Sequence, residues 1–214
     1  MGSASWLIHS LRAQPLLIVL RPGEPLRAVP TLERLQELGL IHVEIAWQPK
    51  PGWTDQMQEL IGLFPALELG AASVCELQGV ADASAAGCRY AMSPLLDLEL
   101  QRWATERELL LVPGVMSPSE VHRARWLGCG IVKLFPAVSV GIDHWRRLWE
   151  PLGAPLPYCI AAGGLNPADV LPWLEAGVDA VALGSGLGDL EMASAWRELL
   201  STLAARQGNA SALP

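Results

Sequence analysis

Eight short runs rich in β-forming residues alternate with stretches of helical hydrophobic spacing along the whole chain, with no linker-like break between them. The runs are Leu16–Leu20, His42–Ala46, Leu67–Ala71, Arg89–Met92, Leu109–Val112, Ile131–Phe135, Tyr158–Ala161 and Ala180–Leu183. Each is long enough for a buried strand and too short for a helix. The stretch Leu26–Leu38 puts Val29, Leu32, Leu35 and Leu38 at helical spacing. Helices are predicted to end at Gly39, Gly87, Gly128 and Gly177, where glycine relieves the left-handed strain of a C-cap, and a strand follows each within three residues. Ser117-Pro118-Ser119-Glu120 and Asn166-Pro167-Ala168-Asp169 carry the N-cap, early proline and acidic first turn that open helices. Strands and helices in strict alternation build a parallel sheet. Eight such units predict one (β/α)8 TIM barrel over residues 1–214, with a frayed tail from about residue 207. The rival is an open doubly wound sheet, but its usual G-x-G-x-x-G after an early strand is absent.

Hydrophobic residues at 51% and charged residues at 17% supply a core and leave no case for disorder. A net charge of -7 without any basic run argues against nucleic acid as a partner, while a small anionic substrate remains compatible with a locally positive site. Cys75, Cys88, Cys129 and Cys159 lie far apart with no C-x-x-C pair, which suits free thiols in a cytoplasmic setting and not a disulfide framework or zinc site. The N-terminus lacks a charged signal-like region and the first apolar run has five residues, so no membrane segment is expected. The nine tryptophans fall mostly in helical stretches and read as helix packing or subunit contacts.

Polar and glycine residues gather at one end of the strands. Glu44, Ser73, Ser93-Pro94, Pro113-Gly114, Lys133, Gly163-Gly164 and Gly184-Ser185 all fall at or near strand C-termini. That is the face where barrel enzymes place their chemistry, so the pattern points to an enzyme.

Lys133 is the most telling of these. Of 15 basic residues, 13 are arginine, and the only lysines are Lys50, in a proline-flanked loop, and Lys133, inside the apolar run Gly130–Ala137. A buried ammonium is costly, and desolvation lowers a lysine pKa until the neutral amine becomes a nucleophile able to form a Schiff base. The plain alternative is a strand-end lysine reaching out to water. Strand alternation puts Ile131, Lys133 and Phe135 on one face, and His42, Glu44 and Ala46 on one face of their own strand. An inward Glu44 and an inward Lys133 form either a structural ion pair or an acid/base and nucleophile couple, and residues alone leave both open. Gly163-Gly164 and Gly184-Ser185 free backbone N–H groups for an anion after the last two strands.

These segments resemble, in order from about Pro15 to Gly186, the 2-keto-3-deoxy-6-phosphogluconate / 4-hydroxy-2-oxoglutarate aldolases. Lys133-Leu134-Phe135-Pro136-Ala137 is similar to that family's K-F-F-P-A Schiff-base segment, and Val43-Glu44-Ile45 to its E-V segment with the catalytic glutamate. Gly70–Val74 resembles G-A-G-T-V, Met92-Ser93-Pro94 resembles I-S-P, Pro113-Gly114-Val115 resembles P-G-I, Gly163-Gly164-Leu165 resembles G-G-I, and Leu183-Gly184-Ser185 resembles G-G-S. The resemblance implies a metal-free, cofactor-free homotrimer in which Lys133 forms an imine with a 2-oxo acid and Glu44 shuttles protons. It implies that Phe135 and Pro94 pack against the pyruvyl carbons and that Ser73 binds the carboxylate. Gly163, Gly164, Gly184 and Ser185 are implied to hold the distal phosphate or carboxylate. The implied products are pyruvate and glyceraldehyde 3-phosphate, with 4-hydroxy-2-oxoglutarate cleavage, oxaloacetate decarboxylation and a catalytically degenerate sugar-phosphate-binding barrel as alternatives.

Three positions depart from the family. Its arginine four residues after the glutamate is Gln48, its threonine before the glycine pair is Ala162, and its glycine after Ser-Pro is Leu95. Losing a bidentate arginine contact to a carboxylate weakens or redirects substrate binding. Arg21, at the end of the first strand, either reaches over the mouth to replace it or is a solvated loop arginine.

Overall fold

The computed structural model of the chain describes residues 4–184 and 193–210. Nine strand segments pair in parallel throughout: β1 (Leu16–Leu20), β2 (His42–Ala46), β3 (Glu68–Ala72), β4 (Tyr90–Met92), β5 (Leu110–Val112), β6 (Gly114–Val115), β7 (Ile131–Leu134), β8 (Tyr158–Ala162) and β9 (Ala180–Leu183). Their order in the sheet is β5-β4-β3-β2-β1-β9-β8-β7-β6. β5 and β6 are two halves of one stave broken at Pro113, whose ring nitrogen has no proton to give to a ladder. The lower half pairs with β4 and the upper half with β7, and this closes the sheet. Across the seam the Lys133 N–H donates to the Pro113 carbonyl at 2.8 Å and the Phe135 N–H to Val115 at 3.0 Å. The chain is therefore the eight-stave TIM barrel that the alternation predicts.

The helices are α1 (Ser5–Ala13), α2 (Val29–Glu37), α3 (Trp53–Leu63), α4 (Leu77–Ala85), α5 (Leu98–Glu106), α6 (Pro118–Trp126), the one-turn α7 (Ala137–Val140), α8 (His144–Arg147) and α9 (Trp149–Leu152), then α10 (Val170–Glu175) and α11 (Ala193–Ala210). The helix expected over Leu26–Leu38 divides into a 3-10 turn, Pro25–Ala28, and α2, with Pro30 in the first turn of α2. Both predicted caps form. Ser117 and Glu120 exchange side-chain and backbone bonds at the start of α6, and Asn166 and Asp169 do the same before α10.

Side chains alternate between two apolar layers. Leu16, Ile18, Val43, Ile45, Val132 and Leu134 pack outward under the helices. Leu17, Tyr90, Met92, Val112, Ile131 and Ile160 fill the barrel interior with Ala162, Ala180 and Ala182. The Tyr90 ring lies where Gly70 leaves room, since a Cβ there would stand 2.4 Å from the ring. α1 plugs the lower end by adding Leu7 and Leu11, both fully buried, to the interior cluster. Full burial of each such leucine contributes about 1.5–3 kcal/mol. Ser10 of α1 lies 2.7 Å from Nε2 of His42, which fixes the plug to β2. Large side chains thus fill the bottom, while alanines near the upper ends of β3, β8 and β9 leave space at the top.

Candidate active site

Lys133 shares the strand face of Ile131, which belongs to the interior cluster, and Glu44 alternates with the outward Val43 and Ile45, so both face the barrel interior. Glu44 is fully buried on β2 and Lys133 is 7% exposed on β7. Neither carboxylate oxygen of Glu44 has a hydrogen-bond partner among the described residues. A buried carboxyl so placed disfavours its charged form. Burial drives the Glu44 pKa up to about 7, although Lys133 and Arg21 pull it down. Burial likewise pushes the Lys133 amine below its ordinary value, with Glu44 pulling it back up and Arg21 pushing it further down. The lysine Nζ stands 5.0 Å from the centre of the Phe135 ring, which adds an apolar neighbour to the amine.

Lys133 opens onto a cavity of about 490 Å³, which it walls together with Arg21, Phe135, Gly163, Gly164 and Gly184, with Val19, Ala72, Ala162, Ala182 and Ser139 between them. Two basic side chains, Lys133 and Arg21, line it, with no Asp or Glu among the described lining residues. Glycine is required at two places in this wall. Gly163 has φ +97°, and a Cβ there would meet the Phe135 ring at 2.9 Å; Gly164 has φ +85°, and its Cβ would meet Val138 at 2.9 Å. A Cβ at Gly184 would stand 3.1 Å from Nη1 of Arg21, so the guanidinium packs close to that backbone. Exposed backbone beside a guanidinium is chemistry suited to a phosphate or carboxylate.

The structure gathers Lys133, Arg21, Phe135, Gly163, Gly164 and Gly184 of the sequence-predicted residues into one cavity, with Glu44 buried within electrostatic reach. Gln48 and Pro94 are half-buried and fall outside the described walls. Ser73 also falls outside them, half-buried just past β3 in the left-handed region at φ 60°. Ser185 lies outside the described residues. Sequence reading missed Val19, Ala72, Ala182 and Ser139. The first three were within reach of the alternation that places Leu17, Gly70 and Ala180 inward. Ser139 sits in the one-turn α7 past the strand, where no periodicity marks it. Cys75, exposed after β3, was also missed as a neighbour: it interacts electrostatically with Lys133.

The model of the KDPG and KHG aldolase family matches residues 7–200. The chain belongs to this family. It is accordingly a carbon–carbon lyase by membership of the KDPG/KHG aldolases. A 2-dehydro-3-deoxy-6-phosphogalactonate aldolase of Escherichia coli (strain K12) is 26% identical over 174 residues, covering 81% of this chain and 84% of that protein. A 2-dehydro-3-deoxy-phosphogluconate aldolase of Pseudomonas aeruginosa is 33% identical over 135 residues, 63% of this chain and 60% of the relative. Among solved structures, the KDPG aldolase from Legionella pneumophila, with pyruvate captured as a covalent carbinolamine, superposes with a TM-score of 0.73 at 27% identity, covering 92% of this chain and 96% of that one. Among the described residues of this aldolase-family chain, no helix is long and apolar enough to cross a membrane.

Proposed function

We propose that the protein cleaves a phosphorylated 2-oxo acid to pyruvate and an aldehyde through an imine on Lys133. The observation that carries the reading is a buried lysine in the cavity wall, pushed toward its neutral form and within electrostatic reach of a buried carboxyl raised to about 7. The neutral amine adds to the C2 carbonyl. Glu44 as the neutral acid gives its proton to the departing hydroxyl, and the carbinolamine loses water to give a protonated imine, leaving Glu44 as the carboxylate. Glu44, directly or through a water, takes the proton of the C4 hydroxyl. The C3–C4 bond then breaks, its electron pair passes into the imine to form an enamine, and C4 leaves as the aldehyde. Glu44 returns its proton to C3, and hydrolysis of the protonated imine releases pyruvate and the free amine, the proton set free going back to Glu44.

In this reading the Phe135 ring and Pro94 pack against the pyruvyl carbons. Ser73 and Arg21 bind the substrate carboxylate, with Gln48 beside them, and Gly163, Gly164, Gly184 and Ser185 hold the distal phosphate. The preferred substrate is 2-keto-3-deoxy-6-phosphogluconate, giving glyceraldehyde 3-phosphate; the size of the cavity and the Arg21 guanidinium beside the Gly184 backbone support a phosphorylated acid over 4-hydroxy-2-oxoglutarate or oxaloacetate. Comparing kcat/KM for the three decides among them. A homotrimer is the assembly we expect. Exposed Leu95, Leu98 and Met116 beside the mouth offer an apolar contact, and a cage designed from symmetric oligomeric domains shares the fold with a TM-score of 0.77 at 25% identity. Light scattering measures the assembly directly.

Pyruvate with borohydride tests the imine. The expected result is one pyruvyl adduct on Lys133 by peptide mass. A protein that binds sugar phosphates but neither labels nor turns over any 2-oxo acid is instead a degenerate barrel.

A further inference from the structure

Arg21, the guanidinium of the cavity wall, does not stand on a barrel strand. It lies just beyond β1, in the segment Arg21–Glu24 that leads to the 3-10 turn Pro25–Ala28, and it is largely exposed. Something must hold this segment if the guanidinium is to stay beside Gly184. Two side chains from the next β/α unit reach it, one on each side of Glu24. Nζ of Lys50 donates to the Gly23 carbonyl at 3.4 Å, and Oε1 of Gln56, in α3, accepts from the Leu26 N–H at 3.3 Å. The second bond meets a specific need. The 3-10 turn starts at Pro25 with no side-chain cap from Glu24, so the Leu26 N–H is one of the donors a helix start leaves without an internal partner. Gln56 acts as that cap from outside the segment. Gly23 has φ +80° with nothing within 4 Å of a Cβ built on it, so no neighbour packs against the side-chain face of this residue.

We propose that Lys50 and Gln56 are positioning residues, a two-point clamp that holds the Arg21 segment over the barrel mouth and so sets how tightly the substrate anion is bound. The inference rests on the aldolase reading of the cavity. It also assigns a role to the only lysine other than Lys133, which otherwise reads as a solvated loop residue. Clamping reduces the conformational freedom that Arg21 loses on binding, so it acts on affinity and leaves the chemical step alone.

Two measurements test it. Hydrogen exchange of the peptide spanning residues 21–28 reads the clamp without any turnover. Exchange is expected to quicken in Lys50→Met and in Gln56→Ala at unchanged thermal midpoint, and unchanged exchange in both overturns the clamp. Steady-state kinetics with 2-keto-3-deoxy-6-phosphogluconate reads the consequence. Lys50→Met is expected to raise KM about three- to tenfold, as one exposed hydrogen bond allows, with kcat within about twofold. Lys50→Arg, which keeps a donor, is expected to recover most of the loss. The increase in KM is expected to vanish when Arg21 is already alanine. A full effect of Lys50→Met in the Arg21→Ala background means that Lys50 attracts the anion by its own charge, and the positioning role fails. A wild-type protein that cleaves none of the 2-oxo acids sinks the aldolase reading, while the exchange experiment still decides the clamp.

Discussion

Glu44 and Lys133 resist each other's desolvation from opposite sides of the barrel interior. Burial drives the carboxyl toward its neutral acid and the amine toward its neutral base, and each group's charge draws the other back toward ionisation. Arg21 tilts the balance, because its charge favours the carboxylate and disfavours the ammonium. Burial thus favours the neutral acid at Glu44 and the neutral amine at Lys133 over the charged pair. A fully satisfied salt bridge would hold both charges and leave neither group reactive.

Stability should carry the mark of Glu44. Its folded pKa is raised to about 7 from the ordinary 4.5, so between those values the folded state holds a proton that the unfolded chain has released. That contribution is complete below pH 4.5 and is lost as pH rises through 7, at up to about 1.4 kcal/mol per pH unit. Urea titrations of the wild type and Glu44→Gln across pH 4.5–7.5 measure it. The stability of the wild type relative to the variant should fall over this window; a constant difference would mean that Glu44 is not raised. Turnover of Glu44→Gln should drop at least about a hundredfold, the usual size of a general acid–base contribution, while borohydride trapping of pyruvate remains detectable.

Lys133→Ala should abolish trapping and turnover together and keep the fold. The side chain stands at the cavity floor with Ile131 and the surrounding strands supplying the packing, so circular dichroism and the thermal midpoint should stay close to wild type. Loss of folding in this variant would indicate a structural partner for Glu44 instead of a nucleophile.

Much of this was legible in the residues. The bounds of β1, β2 and β9 match the apolar runs Leu16–Leu20, His42–Ala46 and Ala180–Leu183, because period and composition agree there. Lys133 stood out because an ammonium in an apolar run has few structural excuses. The break of one stave at Pro113 was hidden, since its consequence depends on which neighbour each half meets. The plug α1 was also missed. Its apolar positions Leu7 and Leu11 look like any surface helix until the barrel end they close exists. Gln48 and Arg21 show the limit for the site: the chain orders both near strand ends, and only the folded loops decide which one walls the cavity.

Arg21, and not Gln48, should therefore dominate recognition of the substrate carboxylate. Arg21→Met is expected to lower kcat/KM about ten- to a hundredfold, in line with loss of one charge-assisted contact of roughly 1.5–3 kcal/mol. Gln48→Ala should change it no more than about threefold. Gln48→Arg restores the residue type the family resemblance implies, and a lowered KM in that variant would show that Arg21 leaves part of the carboxylate unbound.

Two glycines in the cavity wall should respond differently to the same methyl group. At Gly163 the backbone is at φ +97°, and the new Cβ would stand 2.9 Å from the Phe135 ring and 3.2 Å from Cα of Pro136. Neither the left-handed conformation nor the clash with backbone can relax cheaply, so Gly163→Ala should cost about 1–3 kcal/mol of stability. Because the ring it displaces lies 5.0 Å from Nζ of Lys133, kcat should fall as well as affinity. At Gly184 the only contact nearer than 3.9 Å is Nη1 of Arg21 at 3.1 Å, the tip of a flexible side chain. Gly184→Ala should leave stability within about 0.5 kcal/mol of wild type, since the guanidinium can move aside. That movement takes Arg21 off its anion, so KM should rise while kcat holds. Urea denaturation and steady-state kinetics on the two variants check the contrast. Equal losses of stability at both positions would mean that Arg21 is locked against Gly184 as a structural contact and is not free to serve the substrate.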